Sequence, residues 1–203
     1  MSPGATFERV YNELKRMLAE GELPPGSPIE PALIGKQISS SITPIRDALH
    51  RLTGERLVEA PHHNGFRVPI FTEASLRDVY GWSGQLLALA ARHVRVRPTD
   101  EILRSAPANE SVVEATARLF VDIARAAGNV EHLRAIRQLN DRLALYRRAE
   151  RQVLPQLDDE FNALAQSARD GDRKRLGMLL GEYHRRRSRA VQAILSFDAE
   201  RLR

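Results

Sequence analysis

Ser41-Ile42-Thr43-Pro44-Ile45-Arg46-Asp47-Ala48-Leu49-His50-Arg51-Leu52 is the stretch that decides the reading of this chain. Proline suits the first helical position, where its missing N–H has no partner, so the spacing predicts a helix opening at Pro44. Thr43 or Ser41 is placed to cap the free donors. Ile45, Ala48, Leu49 and Leu52 fall at i, i+3, i+4 and i+7 and share one face. Arg46, Asp47, His50 and Arg51 point away from that face. A short helix with a buried stripe and arginines on its outer side suits a DNA major groove.

The flanking sequence extends this helix into a small domain. Downstream, residues 57–60 (LVEA) read as a short strand, residues 61–65 (PHHNG) as a turn and residues 66–70 (FRVPI) as the return strand, with Asn64-Gly65 as the hairpin signal. In such a wing His62, His63 and Arg67 come within reach of the DNA backbone. Upstream, Val10, Leu14, Met17 and Leu18 mark one face of a helix over residues 6–20, which the Pro24-Pro25-Gly26 segment ends. A second short helix over 31–37 directs Leu33 and Ile34 inward. About 70 residues with three helices and a hairpin are enough for a small core.

In order and spacing, this segment resembles the winged helix-turn-helix of the GntR family of bacterial transcription regulators. The resemblance rests on Pro25-Gly26, Leu33, Ser41, Thr43-Pro44-Ile45-Arg46-Asp47-Ala48-Leu49, Arg51-Leu52, Leu57-Val58 and Gly65 to Val68. It covers roughly residues 7–70, and it implies sequence-specific binding of double-stranded DNA by a homodimer on a palindromic operator. The implied contact set is Arg46, Ser41, Thr43, His50 and Arg51, with Gly65 and Arg67 from the wing. Two positions that carry arginine in the best-known branch hold Ile42 and Pro31 here. Ile42 can touch a thymine methyl but cannot donate to a guanine edge, which implies a different operator or weaker binding. Residues 1–71 hold eight basic and eight acidic residues, so the +5 charge of the whole chain comes from the remainder.

Beyond Thr72 the pattern is helical without strand alternation. Helices are expected over 73–97, 110–127, 130–151, 155–169 and 172–195, with 98–107 as a linker or short helix. Gly128-Asn129 and Asp170-Gly171-Asp172 act as stops, and Asp172 as an N-cap. The expected fold is mainly α. A winged helix-turn-helix DNA-binding domain (1–71) with a small hairpin is followed by an all-α antiparallel bundle (72–203).

This second half is similar, more loosely, to the FCD-type effector-binding and dimerisation bundle of the FadR subfamily, through residues 120–129, 160–172 and 180–184. Most such domains hold a divalent metal with one Asp and three His. The resemblance puts Thr116, Phe120, Phe161 and Tyr183 at those four places, which implies no metal and no cofactor. It leaves these four residues as an effector-binding lining or, more simply, as filled core. A metal-free branch of the subfamily takes acyl-thioesters, so an apolar effector fits this set. The run His184-Arg185-Arg186-Arg187-Ser188-Arg189 spreads around more than half a helix and reads as a solvated face.

The chain has no cysteine, and is 28% charged and 42% hydrophobic, an ordinary globular composition. It shows no apolar leader and no run of 18 apolar residues, which points to a cytoplasmic protein that is not in a membrane. It shows no Gly-rich phosphate loop, no Gly-x-Ser-x-Gly elbow and no metal cluster, which argues against an enzyme. Two functions remain: a transcriptional regulator, most simply a repressor, modulated by a small metabolite, or an effector-independent regulator whose bundle only dimerises.

Overall fold

The structure, a computed structural model, describes residues 3–61, 65–94 and 110–201. The Asn64 turn signal, His62, His63 and the 98–107 linker lie outside the described residues. The chain divides into two compact units, Met1–Phe71 and Thr72–Arg203. The expected fold class, a winged helix-turn-helix followed by a helical domain, is what the structure has.

The first unit contains α1 (Pro3–Glu20), β1 (Pro28–Ile29), α2 (Pro31–Gln37), α3 (Ile42–Gly54) and β2 (Phe66–Arg67). Val10, Leu14 and Met17 of α1 meet Ile34 of α2 and Ile45, Ala48, Leu49 and Leu52 of α3 in one buried cluster, which Phe66 and Val68 close from the wing. Leu33, expected inward, is instead exposed. It lies one residue, about 100° around the helix, from the Ile34 side that faces α3. Helix α3 also starts two residues before the expected Pro44: Ser41 takes the N-cap place without a side-chain hydrogen bond. Between α2 and α3 the chain turns tightly, and Ser40 N–H donates to Gly35 O at 2.9 Å. A Cβ on Gly35 would stand 2.8 Å from Ser40 O, so the turn requires glycine there.

The wing differs from the simple hairpin expected. β2 pairs antiparallel with β1, Pro28 opposite Arg67 and Ile29 opposite Phe66. The expected 57–60 strand is reduced to a single bridge, in which Glu59 and Arg67 exchange backbone bonds of 2.9 Å. Pro28 and Ile29 are too short a run to show strand periodicity, so β1 had no visible signal.

The second unit has, among the described residues, α4 (Glu73–His93), α5 (Val112–Ala126), α6 (Val130–Val153), α7 (Leu157–Asp170) and α8 (Arg173–Arg201). Capping boxes start α4 (Thr72 with Ser75) and α5 (Ser111 with Glu114). Asn129 caps α6, and Asp172 accepts from Arg175 N–H at 2.9 Å at the start of α8. α4 and α8 run antiparallel along most of their length: Arg77 reaches Ser188 O, and Arg173 at the other end reaches Val94 O. Gly84 of α4 admits the ring of His184 from α8, since a Cβ there would stand 3.0 Å from the ring. The core is drawn from every described helix of this unit and includes Leu87, Phe120, Ile123, Ile136, Leu164, Leu180 and Tyr183.

Candidate nucleic-acid interface and bundle core

In the first unit, the buried stripe of α3 fixes which side chains turn outward. Arg46 and His50 are exposed one turn apart on α3. Together with Pro31, Ala60, Pro61, Gly65 and Phe66 they line an open cleft of about 460 Å³ between α3 and the wing. His50 stands edge-on to Phe66 with ring centroids 5.0 Å apart, which ties the outer face of α3 to β2. Gly65 takes a positive φ of 71° at the end of the wing turn. Arg67, Ser41, Thr43, Arg51 and Ile42 are also exposed, so all seven expected contact residues lie on the accessible surface of α3 or beside it on the wing.

Arg51 is placed differently. Its guanidinium lies 4.0 Å from the centroid of the Tyr11 ring. It donates to Glu8 at 3.2 Å and to Glu55 at 3.3 Å. Tyr11 in turn donates its hydroxyl to Glu55. This side chain clamps α3 to α1, and its charge is already answered by two carboxylates.

The second unit holds a polar cluster inside its core. Phe120 and Tyr183 pack edge to face with centroids 5.0 Å apart, and His184 stacks on Phe120 at 5.8 Å. Phe161 is partly buried against the same cluster. Thr116 is buried and donates its hydroxyl to Val112 O, one turn back on its own helix. Phe120, Phe161 and Tyr183 therefore belong to one core, with Phe120 and Tyr183 in direct contact, and Thr116 is buried one turn before Phe120 on the same helix.

Around them lie charged groups that the sequence reading put on the surface or did not single out. Arg187 is 2% exposed. It donates through Nε to Glu150 at 2.8 Å, through Nη1 to Glu160 at 2.9 Å, and through Nη2 to Glu160 at 2.7 Å. Its guanidinium covers the Tyr183 ring at 3.3 Å. Tyr80 donates to the other Glu150 oxygen at 2.6 Å. Burial, with Glu150 beside it, pushes the Tyr80 phenol well above its usual range, and burial pushes Tyr183 up to about 12. The expectation that residues 184–189 form a solvated face is therefore corrected: His184 and Arg187 point into the bundle, while Arg185 and Arg189 are exposed. The missed signal was periodicity. Leu180, Tyr183, His184, Arg187, Val191 and Ile194 form one helical stripe that passes through the basic run.

His184 is buried and neutral. Its Nδ1–H donates to Leu180 O at 2.7 Å, which assigns Nε2 as the acceptor for the Ser83 hydroxyl at 3.2 Å. Burial above all, reinforced by the charges of Arg147 and Arg187, lowers its pKa to about 3. Between that value and the unfolded value near 6.5 the unfolded chain binds the extra proton. The stability held by the neutral ring is thus complete above pH 6.5 and lost as pH falls towards 3, at up to about 1.4 kcal/mol per pH unit. Thermal unfolding of the wild type should lose more between pH 6.5 and 4 than that of His184→Gln. Parallel pH profiles would contradict this assignment.

Among the described residues no three His, Cys, Asp or Glu side chains are grouped to hold a metal ion. No described helix is long and apolar enough to cross a membrane.

Comparison with known proteins accords with this geometry. Residues 6–68 match the family model for bacterial regulatory proteins of the gntR family. The chain is 31% identical over 78 residues to the uncharacterized HTH-type transcriptional regulator YdhC of Bacillus subtilis, covering 38% of this chain and 35% of that one. It is 28% identical over 91 residues to the HTH-type transcriptional repressor GlaR of Escherichia coli, covering 45% of this chain and 41% of that one. These matches span well under half the length of the relatives. Among solved structures, E. coli McbR/YncC superposes with a TM-score of 0.70 over 93% of this chain and 97% of that one, at 18% identity, a likeness of fold. The matched family and the relatives named here are regulators rather than enzymes. Over residues 6–68, which hold α3 and the paired wing, this chain is similar to the helix-turn-helix domains of bacterial regulatory proteins of the gntR family.

Proposed function

We propose that this chain is a bacterial DNA-binding transcriptional regulator, a repressor, that reads a palindromic operator as a homodimer. Its second unit is an FCD-like bundle of the FadR type, which dimerises and answers to a small metabolite. The observation that carries this reading is Arg46, exposed on α3 at the mouth of the cleft shared with the wing. From there a guanidinium can meet the O6 and N7 of a guanine while Ser41, Thr43, His50, Arg67 and the Gly65 backbone reach phosphates. A single recognition helix reads only a few base pairs, so useful specificity requires two. The repressor assignment draws on the printed function of GlaR, and such a protein works in the cytoplasm, where its duplex is.

Selection from a random duplex pool at fixed salt tests this directly. The expected product is an inverted repeat with half-sites about one helical turn apart, bound by a species that sediments as a dimer at micromolar concentration. No enrichment over the input pool, or a monomer on the selected duplex, would overturn the reading. The direct packing of Phe120 on Tyr183 favours a second reading, in which the bundle dimerises without taking an effector.

A further inference from the structure

The row of α3 that faces the wing begins with a residue outside the expected contact set. Ile42 is the first residue of α3 and is 49% exposed. It lies outside the buried cluster that ties α3 to α1 and α2. Residues four apart on a helix differ by about 40° in direction, so Ile42, Arg46 and His50 form one row. The last two of these line the cleft beside the wing. Ser41 and Thr43, on either side of Ile42, are exposed hydroxyl residues. The row therefore opens on a branched aliphatic side chain, without donor or acceptor, in polar surroundings.

A lone exposed aliphatic residue is ordinary on a protein surface, and its position is what gives this one a meaning. The N-terminal residues of a recognition helix are those that meet base edges, and Ile42 stands at that end of α3, one turn ahead of Arg46. In the major groove the thymine 5-methyl is the one apolar group on a base-pair edge. Against cytosine N4, adenine N6 or a guanine edge, the Ile42 side chain would strip water from a polar group and return no hydrogen bond. Against a thymine methyl it buries apolar surface on both partners. The rise from Ile42 to Arg46 is about 6 Å, less than two base steps of about 3.4 Å.

We propose that Ile42 is a specificity-determining residue that reads the 5-methyl group of a thymine within about two base steps of the guanine read by Arg46. This rests on the DNA reading above and deepens it: each half-site is distinguished by a methyl group as well as by a guanine edge.

The test uses the full chain and the selected duplex, with deoxyuridine in place of the thymine near the guanine. That exchange removes the methyl group and keeps the base pair and its hydrogen-bonding edge. Wild type should bind about fourfold more weakly for each half-site changed, the effect of one buried methyl-sized group. Ile42→Ala, whose side chain falls short of the methyl, should bind the thymine duplex more weakly than wild type and lose most of the difference between thymine and deoxyuridine. Ile42→Val should retain that difference. Equal binding of the two duplexes by wild type overturns the proposal and needs no variant. A full methyl effect in Ile42→Ala, or selected half-sites with no thymine at this distance from the guanine, overturns it as well. In each of these cases a preference for the selected duplex over a scrambled one leaves the DNA reading standing. If no duplex is selected at all, both readings fall.

Discussion

Arg187→Met is expected to destabilise the second unit by about 3–5 kcal/mol, the usual cost of removing one partner from a buried ion pair. Glu150 is itself 2% exposed. Without Arg187 it keeps only the Tyr80 hydroxyl at 2.6 Å, so a carboxylate would remain in the core with no counter-charge. The methionine also gives up the contact with the Tyr183 ring that the guanidinium makes at 3.3 Å. Against a total of about 5–15 kcal/mol for a typical domain this is a large share. Trp82 fluorescence during urea unfolding should show the midpoint fall steeply, and a change below about 0.5 kcal/mol would contradict the assignment of Arg187 as the neutralising charge. Adding Glu150→Gln to Arg187→Met should recover part of the loss, because the orphaned charge goes with it. The coupling in that double-mutant cycle separates the charge effect from simple loss of packing.

The outer helix α3 and the polar core of the second unit differ in how locally they are encoded. The buried face of α3 is written in Ile45, Ala48, Leu49 and Leu52, all within two turns, so a helical period reveals it without knowledge of any partner. The helix ends of the second unit are equally local: Ser111 with Glu114 and Asn129 before Val130 are caps readable in three or four letters. β1 was not legible because two residues carry no alternation, and its partner Phe66–Arg67 lies nearly forty positions on.

The polar core was hidden for a different reason. A basic residue is assigned to the surface on composition, and the assignment holds unless a carboxylate from elsewhere in the chain meets it. Arg187 is answered by Glu150 and Glu160, 37 and 27 positions away, a pairing only the tertiary fold creates. Arg51 shows the same effect in the first unit. The helical period correctly turned it off the α3 core, but its actual destination is the Tyr11 ring of α1, 40 residues away. Arg187, like His184 beside it, lies within a buried stripe, where period and charge give opposite advice. Arg147 lies among Leu143, Tyr146 and Glu150 on the buried side of α6 and belongs to the same class.

Arg46→Ala is expected to abolish specific operator recognition while leaving the fold unchanged. Arg46 is exposed and has the open cleft before it, so its removal creates no cavity and strands no buried partner; a stability change within about 0.5 kcal/mol follows. On DNA the loss is larger. A bidentate arginine–guanine contact contributes about 1–3 kcal/mol of discrimination, and the proposed homodimer on a palindrome would lose it in both half-sites, roughly 2–6 kcal/mol together. No second arginine on α3 is free to substitute, since Arg51 is held by Glu8, Glu55 and Tyr11, and Ile42 offers only a methyl contact. Fluorescence anisotropy on the selected duplex and on a scrambled one, at a single salt concentration, provides the measurement. The variant should bind both with the weak affinity that wild type has for the scrambled duplex. Retention of the wild-type preference would move recognition away from the outer face of α3, and with it the reason for assigning this chain to sequence-specific DNA binding.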